Sequence, residues 1–128
     1  MRVIIDTNFL LIPVQFKVDI FTEIDRICNF KYELAIIDKT IDELNSIIEN
    51  QRGKDKEAAK LALSLLKHKD INIIHTKQSD KIVDDLIVDE AEKGEIVVAT
   101  NDKELKHRLM ARNAQIIVLR QKKHLVML

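Results

Sequence analysis

Short runs of β-branched and aliphatic residues recur along this chain, each followed by a stretch with helical apolar spacing. The runs are Val3–Ile5, Glu33–Ile37, Ile71–Ile74, Glu95–Ala99 and Gln115–Leu119. Between and around them the apolar period predicts helices over Phe16–Cys28, Thr40–Glu49, Asp55–Lys69, Asp80–Lys93 and Lys103–Arg112. In the first of these, Ile20, Phe21, Ile24, Ile27 and Cys28 share one face. Near-continuous apolar strands separated by helices predict an α/β domain, a mainly parallel sheet of five strands covered on both faces. His124–Leu128 reads either as a short edge strand or as a packed tail.

A chain of 128 residues forms one domain with a real core, and no linker, repeat or low-complexity tract divides it, so the domain is expected to span 1–128. Two Gly and one Pro leave no room for a Gly-rich phosphate loop, which excludes the common nucleotide-binding motifs. The single cysteine, Cys28, excludes an internal disulfide and a cysteine-only metal site, and lies on a core pattern. His68, His75, His107 and His124 have no metal-ligand spacing with one another. No apolar run approaches the roughly 20 residues that span a membrane. Only three apolar residues stand between Arg2 and Asp6, too few for a signal peptide. A soluble, cytoplasmic protein with no membrane contact is expected.

Lys plus Arg equals Asp plus Glu, at 21 each, so net charge gives no support for a nucleic-acid partner. The distribution of charge does. Basic residues cluster at Lys103, Lys106, His107, Arg108 and Arg112, again at Arg120, Lys122, Lys123 and His124, and again at Arg52, Lys54, Lys56 and Lys60. Any one cluster reads equally as a solvated face or as a track for a phosphate backbone.

Acidic residues occupy the ends of the predicted strands or the first turns of the helices that follow. Asp6 ends Val3-Ile4-Ile5 and precedes Thr7-Asn8, and Asp102 follows Val98-Ala99-Thr100-Asn101. Ligands of open parallel sheets bind outside the carboxyl ends of the strands. Carboxylates gathered there repel by about 4 kcal/mol per pair at about 4 Å and an effective dielectric near 20. Protons or a hard divalent cation, Mg²⁺ or Mn²⁺, must offset that repulsion. Each acid also has a plainer role. Asp6 and Asp102 are competent caps, and Thr40-Ile41-Asp42-Glu43 matches a capping box in which Glu43 reaches back to the helix start. Asp84 and Asp85 project about 100° apart and flank the apolar arc of Ile82, Val83, Leu86 and Ile87, so one of them faces a common site. Periodicity does not choose between them. Asp89 lies on the same face as Asp85.

Taken in order, these segments resemble the PIN-domain family of metal-dependent ribonucleases. Asp6-Thr7-Asn8-Phe9 matches the family's opening motif, Thr40-Ile41-Asp42-Glu43-Leu44 its helix-borne acid, Asp84-Asp85-Leu86-Ile87-Val88 its third motif and Val98-Ala99-Thr100-Asn101-Asp102-Lys103-Glu104-Leu105 its fourth. Within the third motif Asp85 is the better match, from the offsets of the apolar residues after it. Within the family, the closest similarity is to archaeal VapC-like proteins related to the eukaryotic nuclease that trims small-subunit ribosomal RNA precursors. The cysteines of the zinc-binding members of that group are absent.

The resemblance implies a three-layer α/β/α PIN-like domain with strand order 3-2-1-4-5, and a metal-dependent endoribonuclease acting as a VapC-type toxin or in ribosomal RNA processing. It implies Asp6, Glu43, Asp85 and Asp102 as catalytic ligands of one or two Mg²⁺ or Mn²⁺ ions, which acidify a bound water and offset charge on the scissile phosphate. Asn8, Thr100 and Asp84 orient the ligands, and Lys103, Lys106 and Arg108 contact flanking phosphates. RNA, a second copy of the chain, and an antitoxin or ribosome-assembly factor are the implied partners. The aromatic residues Phe9, Phe16, Phe21, Phe30 and Tyr32 lie mostly in core patterns, so specificity is expected from RNA shape or from a partner. Two other classes compete. A phosphoacceptor receiver domain requires an Asp after the third strand, where His75-Thr76 stands. A catalytically silent PIN module binding RNA or protein differs from the enzyme only in lacking metal-dependent cleavage.

Overall fold

A computed structural model describes residues 1–76 and 79–128. The strands are β1 Arg2–Ile5, β2 Glu33–Ile37, β3 Ile71–Ile74, β4 Ile96–Ala99, β5 Gln115–Arg120 and β6 His124–Met127. They form one sheet in the order β3-β2-β1-β4-β5-β6. The first five are parallel, and β6 returns antiparallel to β5. The helices are α1 Ile12–Phe16, α2 Ile20–Ile27, α3 Asp38–Asn50, α4 Lys54–His68, α5 Val83–Lys93 and α6 Lys103–Met110, and a 3-10 turn over Thr7–Leu11 follows β1. Among the described residues no helix is long and apolar enough to cross a membrane.

Alternation along the central strands sends side chains to two cores. Val3, Ile5, Val97 and Ala99 pack with Phe9, Ile20, Ile24, Leu44 and Ala59 beneath α1 to α4. Ile4, Ala35, Ile37 and Val98 pack on the other face with Leu86, Ile87, Leu105 and Leu109 of α5 and α6. β1, between β2 and β4, is buried on both faces from Val3 onward, as its unbroken apolar run predicts. Its ladder extends one residue past the strand, because the Asp6 amide donates to the Ala99 carbonyl at 3.0 Å.

Three expectations change. The helix predicted from Phe16 begins only at Ile20, where the Asp19 carboxylate accepts from the Thr22 amide at 3.1 Å. Lys17, left-handed at φ 56°, separates it from α1, so one apolar period belongs to two helices. The helix predicted from Asp80 begins at Val83, and Ile82, placed on its apolar arc, is the exposed residue before it. The sheet has six strands rather than five, since the C-terminal segment takes the edge-strand alternative. β6 is tied to α2, with the Leu125 amide donating to Glu23 Oε1 at 3.0 Å and Arg26 Nη2 donating to the Leu125 carbonyl at 3.1 Å.

The β5–β6 turn places two non-glycine residues, Gln121 (φ 55°) and Lys122 (φ 57°), in the left-handed region, closed by the Lys123 amide on the Arg120 carbonyl at 3.2 Å. Each such residue costs about 1 kcal/mol relative to Asn or Gly. Replacing the pair by Asn-Gly is expected to raise the melting temperature by several degrees. An unchanged or lower melting temperature in a thermal scan would contradict this backbone assignment.

Candidate metal and phosphate site

The carboxyl ends of β1 and β4, the start of α5 and the second turn of α3 converge on one cleft. It has a volume of ≈ 400 Å³ and is lined by Asp6, Thr7, Asn8, Glu43, Ser46, Ile47, Ile82, Val83, Asp84 and Asp102. Asp6 is fixed most firmly. It is 5% exposed, and its Oδ2 accepts from the buried Thr100 hydroxyl at 2.9 Å. The Thr100 oxygen also accepts from the Asp102 amide at 3.1 Å, so one hydroxyl couples two of the acids. Burial pushes the Asp6 carboxyl up to about 6; the Thr100 hydrogen bond opposes this, and the charges of Asp84 and Glu43 add to it. Burial also raises Asp84, reinforced by Asp102 and Glu43 and partly offset by Arg108. The acids feel one another, as a shared site requires.

Asp102 both faces the cleft and caps a helix. It lines the cleft, and its Oδ1 accepts from the Leu105 amide at 2.8 Å as the cap of α6. Glu43 does not close a capping box, because α3 begins at Asp38 and Thr40 is already buried inside the helix. The Glu43 carboxylate accepts from the Thr7 hydroxyl, which lies 3.3 Å from that of Thr40. Thr7 is therefore a site residue that the sequence pattern did not single out, although it stands between Asp6 and Asn8. Asn8 lines the cleft as an exposed residue. Asn101 serves the frame, with its Oδ1 accepting from the Leu119 amide of β5 at 3.0 Å.

The carboxylate that α5 brings into the cleft is Asp84 and not Asp85. Asp85 points to α6 and pairs with Arg108 at 2.9 Å. The reason is helical phase. With Ile82 outside α5, the buried residues are Val83, Leu86, Ile87, Val88 and Glu90, and Val88 extends the buried arc to the side of Asp84, which turns Asp84 inward and Asp85 away. Arg108 is thus an ion-pair partner rather than a free phosphate contact. Lys103 is exposed at the start of α6 beside Asp102, and Lys106 is half-buried one turn on.

The lining donors fit a hard divalent cation: four carboxylates with hydroxyl and amide oxygens, and neither sulfur nor imidazole. Among the described residues no three His, Cys, Asp or Glu side chains close into a cluster that holds an ion alone. Asp6 is locked and Asp84 half-buried, whereas Glu43 and Asp102 are exposed. Asp6 and Asp84 would be the better-fixed holders of a divalent cation, with Glu43 and Asp102 at the exposed side of the cleft.

Comparison with known proteins agrees with this fold. A family model described as PIN like domain matches residues 3–122. Ribonuclease VapC4 of Methanocaldococcus jannaschii is 36% identical over 126 residues, covering 96% of this chain and 93% of the relative. Ribonuclease VapC9 of Archaeoglobus fulgidus is 30% identical over 121 residues, covering 94% and 84% respectively. Among solved structures, the PIN domain endonuclease Utp24 superposes with a TM-score of 0.82 at 26% identity, covering 98% of this chain and 90% of that one. With this strand order and a family match along nearly its whole length, the chain belongs to the PIN-like domain family.

Proposed function

We propose that this chain is a Mg²⁺- or Mn²⁺-dependent endoribonuclease hydrolysing RNA phosphodiester bonds, with Asp6, Glu43, Asp84 and Asp102 as the cation-holding set. The observation that carries this reading is the buried, hydrogen-bonded Asp6 sharing a cleft with three further carboxylates. The named ribonuclease relatives lend it support. When bound, the cation supplies Lewis-acid stabilisation of phosphate charge and acidifies water.

The chain's own residues do the rest. Thr100 holds the Asp6 carboxylate in one rotation, and Thr7 holds Glu43. The cap on Asp102 positions α6, whose Lys103 and Lys106 offer cations to flanking phosphates and set register without reading bases. Asp85 and Arg108 join α5 to α6, supporting Asp84 from behind. Assignment as a VapC-type toxin predicts growth arrest on expression and relief by a cognate antitoxin. A ribosomal RNA-processing role predicts uncut precursor on deletion. A homodimer is part of the same proposal, and sedimentation of the purified chain tests it.

The direct test is cleavage of a panel of single-stranded and structured RNAs in Mn²⁺, Mg²⁺ or EDTA. Cutting confined to the metal-containing reactions is expected. Equal cutting in EDTA would overturn the mechanism. Silence across a broad panel would favour a PIN module that binds RNA or protein without turnover.

A further inference from the structure

A second cavity of ≈ 380 Å³ adjoins the acidic cleft, with Asn8 and Asp102 lining both. The other walls are Phe9, Ile12, Gln15, Phe16 and Asn101. Phe16 is the unusual member. The remaining rings are accounted for by the fold: Phe9 is 2% exposed, Phe21 lies under the Lys69 ammonium, and Phe30 meets Tyr32 edge-on. Phe16 is 37% exposed. It ends α1, and the left-handed Lys17 immediately after it turns the chain away and leaves the ring at the cavity wall. The expectation that the aromatic residues serve the core therefore does not hold at this position.

The chemistry of the walls narrows the occupant. Asp102 is the one ionisable lining group and is acidic, so a phosphate is disfavoured. The Phe16 ring offers an apolar face beside the largely buried Phe9 and Ile12, while Asn8, Gln15 and Asn101 offer side-chain amides at the rim. Asn101 spends its oxygen on the Leu119 amide and so presents its NH₂ group as a donor. Flat apolar walls with an amide rim complement a flat uncharged ring with heteroatoms along its edge. The shared lining residues place the cavity next to the cleft where a scissile phosphate would lie.

We propose that this second cavity seats a nucleobase adjoining the scissile phosphate of a single-stranded RNA, stacked on Phe16 and read at its edge by Asn8, Gln15 and Asn101. The proposal rests on the nuclease reading for the identity of the neighbouring cleft. It makes this chain selective at one nucleotide position through its own residues, without a partner.

Two readouts test it. Cleavage of a randomised single-stranded RNA pool in Mn²⁺ is sequenced for wild type and Phe16→Ala. Binding of single-stranded RNA carrying 2-aminopurine is followed by fluorescence on the Asp6→Asn background, with Phe16→Ala or Phe16→Tyr added. Base–aromatic stacking affects affinity by about tenfold or more. The expected result is a base preference at one nucleotide beside the cut that flattens in Phe16→Ala. Fluorescence quenching is expected on binding, lost with Phe16→Ala and restored with Phe16→Tyr. Because Phe16 is partly exposed, a melting curve matching wild type shows that the variant folds. The same base profile and quenching in folded Phe16→Ala would overturn the proposal, as would a cavity that binds apolar peptide but no RNA. Quenching without any metal-dependent cutting by wild type would retain the base pocket and sink the nuclease reading instead.

Discussion

Asp6→Asn is expected to abolish RNA cleavage while making the metal-free protein more stable. Both effects follow from one arrangement, a buried carboxylate facing like charges. For activity, the substitution removes the negative charge that fixes the cation, and a loss of at least about 100-fold is expected. For stability, the sign is set by proton binding. The Asp6 carboxyl titrates near 3.8 when unfolded and at about 6 when folded. Between those values the folded state binds more protons, so stability of the metal-free protein falls as pH rises through this window and stays reduced above it. At neutral pH the cost of keeping Asp6 charged is up to about 3 kcal/mol, which an amide does not incur. Asn also retains an oxygen to accept the Thr100 hydroxyl. Melting curves in EDTA check this: the variant should melt several degrees above wild type at pH 7.5, and the gap should close near pH 4. Identical melting at pH 7.5 would show that Asp6 carries no such repulsion. Mn²⁺ should reverse the order by stabilising wild type selectively.

The second large effect separates two adjacent residues. Asp84→Asn is expected to reduce cleavage on the order of 100-fold, since Asp84 is the α5 carboxylate in the cleft. Asp85→Asn should reduce it by no more than about tenfold, because it loses only the Arg108 pair that braces α5 against α6. Mn²⁺ titration by isothermal calorimetry offers a readout independent of turnover: weaker binding in Asp84→Asn and near wild-type binding in Asp85→Asn. The reverse ranking would restore the assignment that the motif resemblance favours and would mean that α5 rotates when the cation binds.

That pair also shows where the chain could be read and where it could not. The central strands were legible because burial on both faces demands unbroken apolar residues, and Val3–Ile5 and Val97–Ala99 have them. Asp6 and Asp102 were legible for the same reason, as polar residues at the ends of such runs. Choosing between Asp84 and Asp85 required the phase of α5, which depends on whether Ile82 is inside the helix. Its apolar character said inside, yet it is the exposed residue before the first turn. Glu43 lines the cleft, and the capping box that competed for it does not form: helix α3 starts two residues before Thr40, so the match is incidental and Thr7 is the hydrogen-bond partner. β6 was left open because its turn uses Gln121 and Lys122 where Asn and Gly would have announced a hairpin. The exposure of Phe16 is not legible, because a helical period cannot reveal that Lys17 interrupts it.

The placement of β1 between β2 and β4 has a temporal consequence. The residues that hold the Asp6 carboxylate and the strand that flanks it come late in the chain, and Thr100 lies 94 residues after Asp6. At about 5–20 residues per second, a ribosome needs several seconds to make that interval. Throughout it the nascent chain carries Asp6, joined in turn by Glu43 and Asp84, with no partner for one side of its central strand. A polypeptide halted before β4 has most of its acids and no assembled cleft. For an enzyme that would cut RNA, the topology sets an order: the cleft assembles only after β4 and Thr100 have been made, so a polypeptide released before that point lacks it.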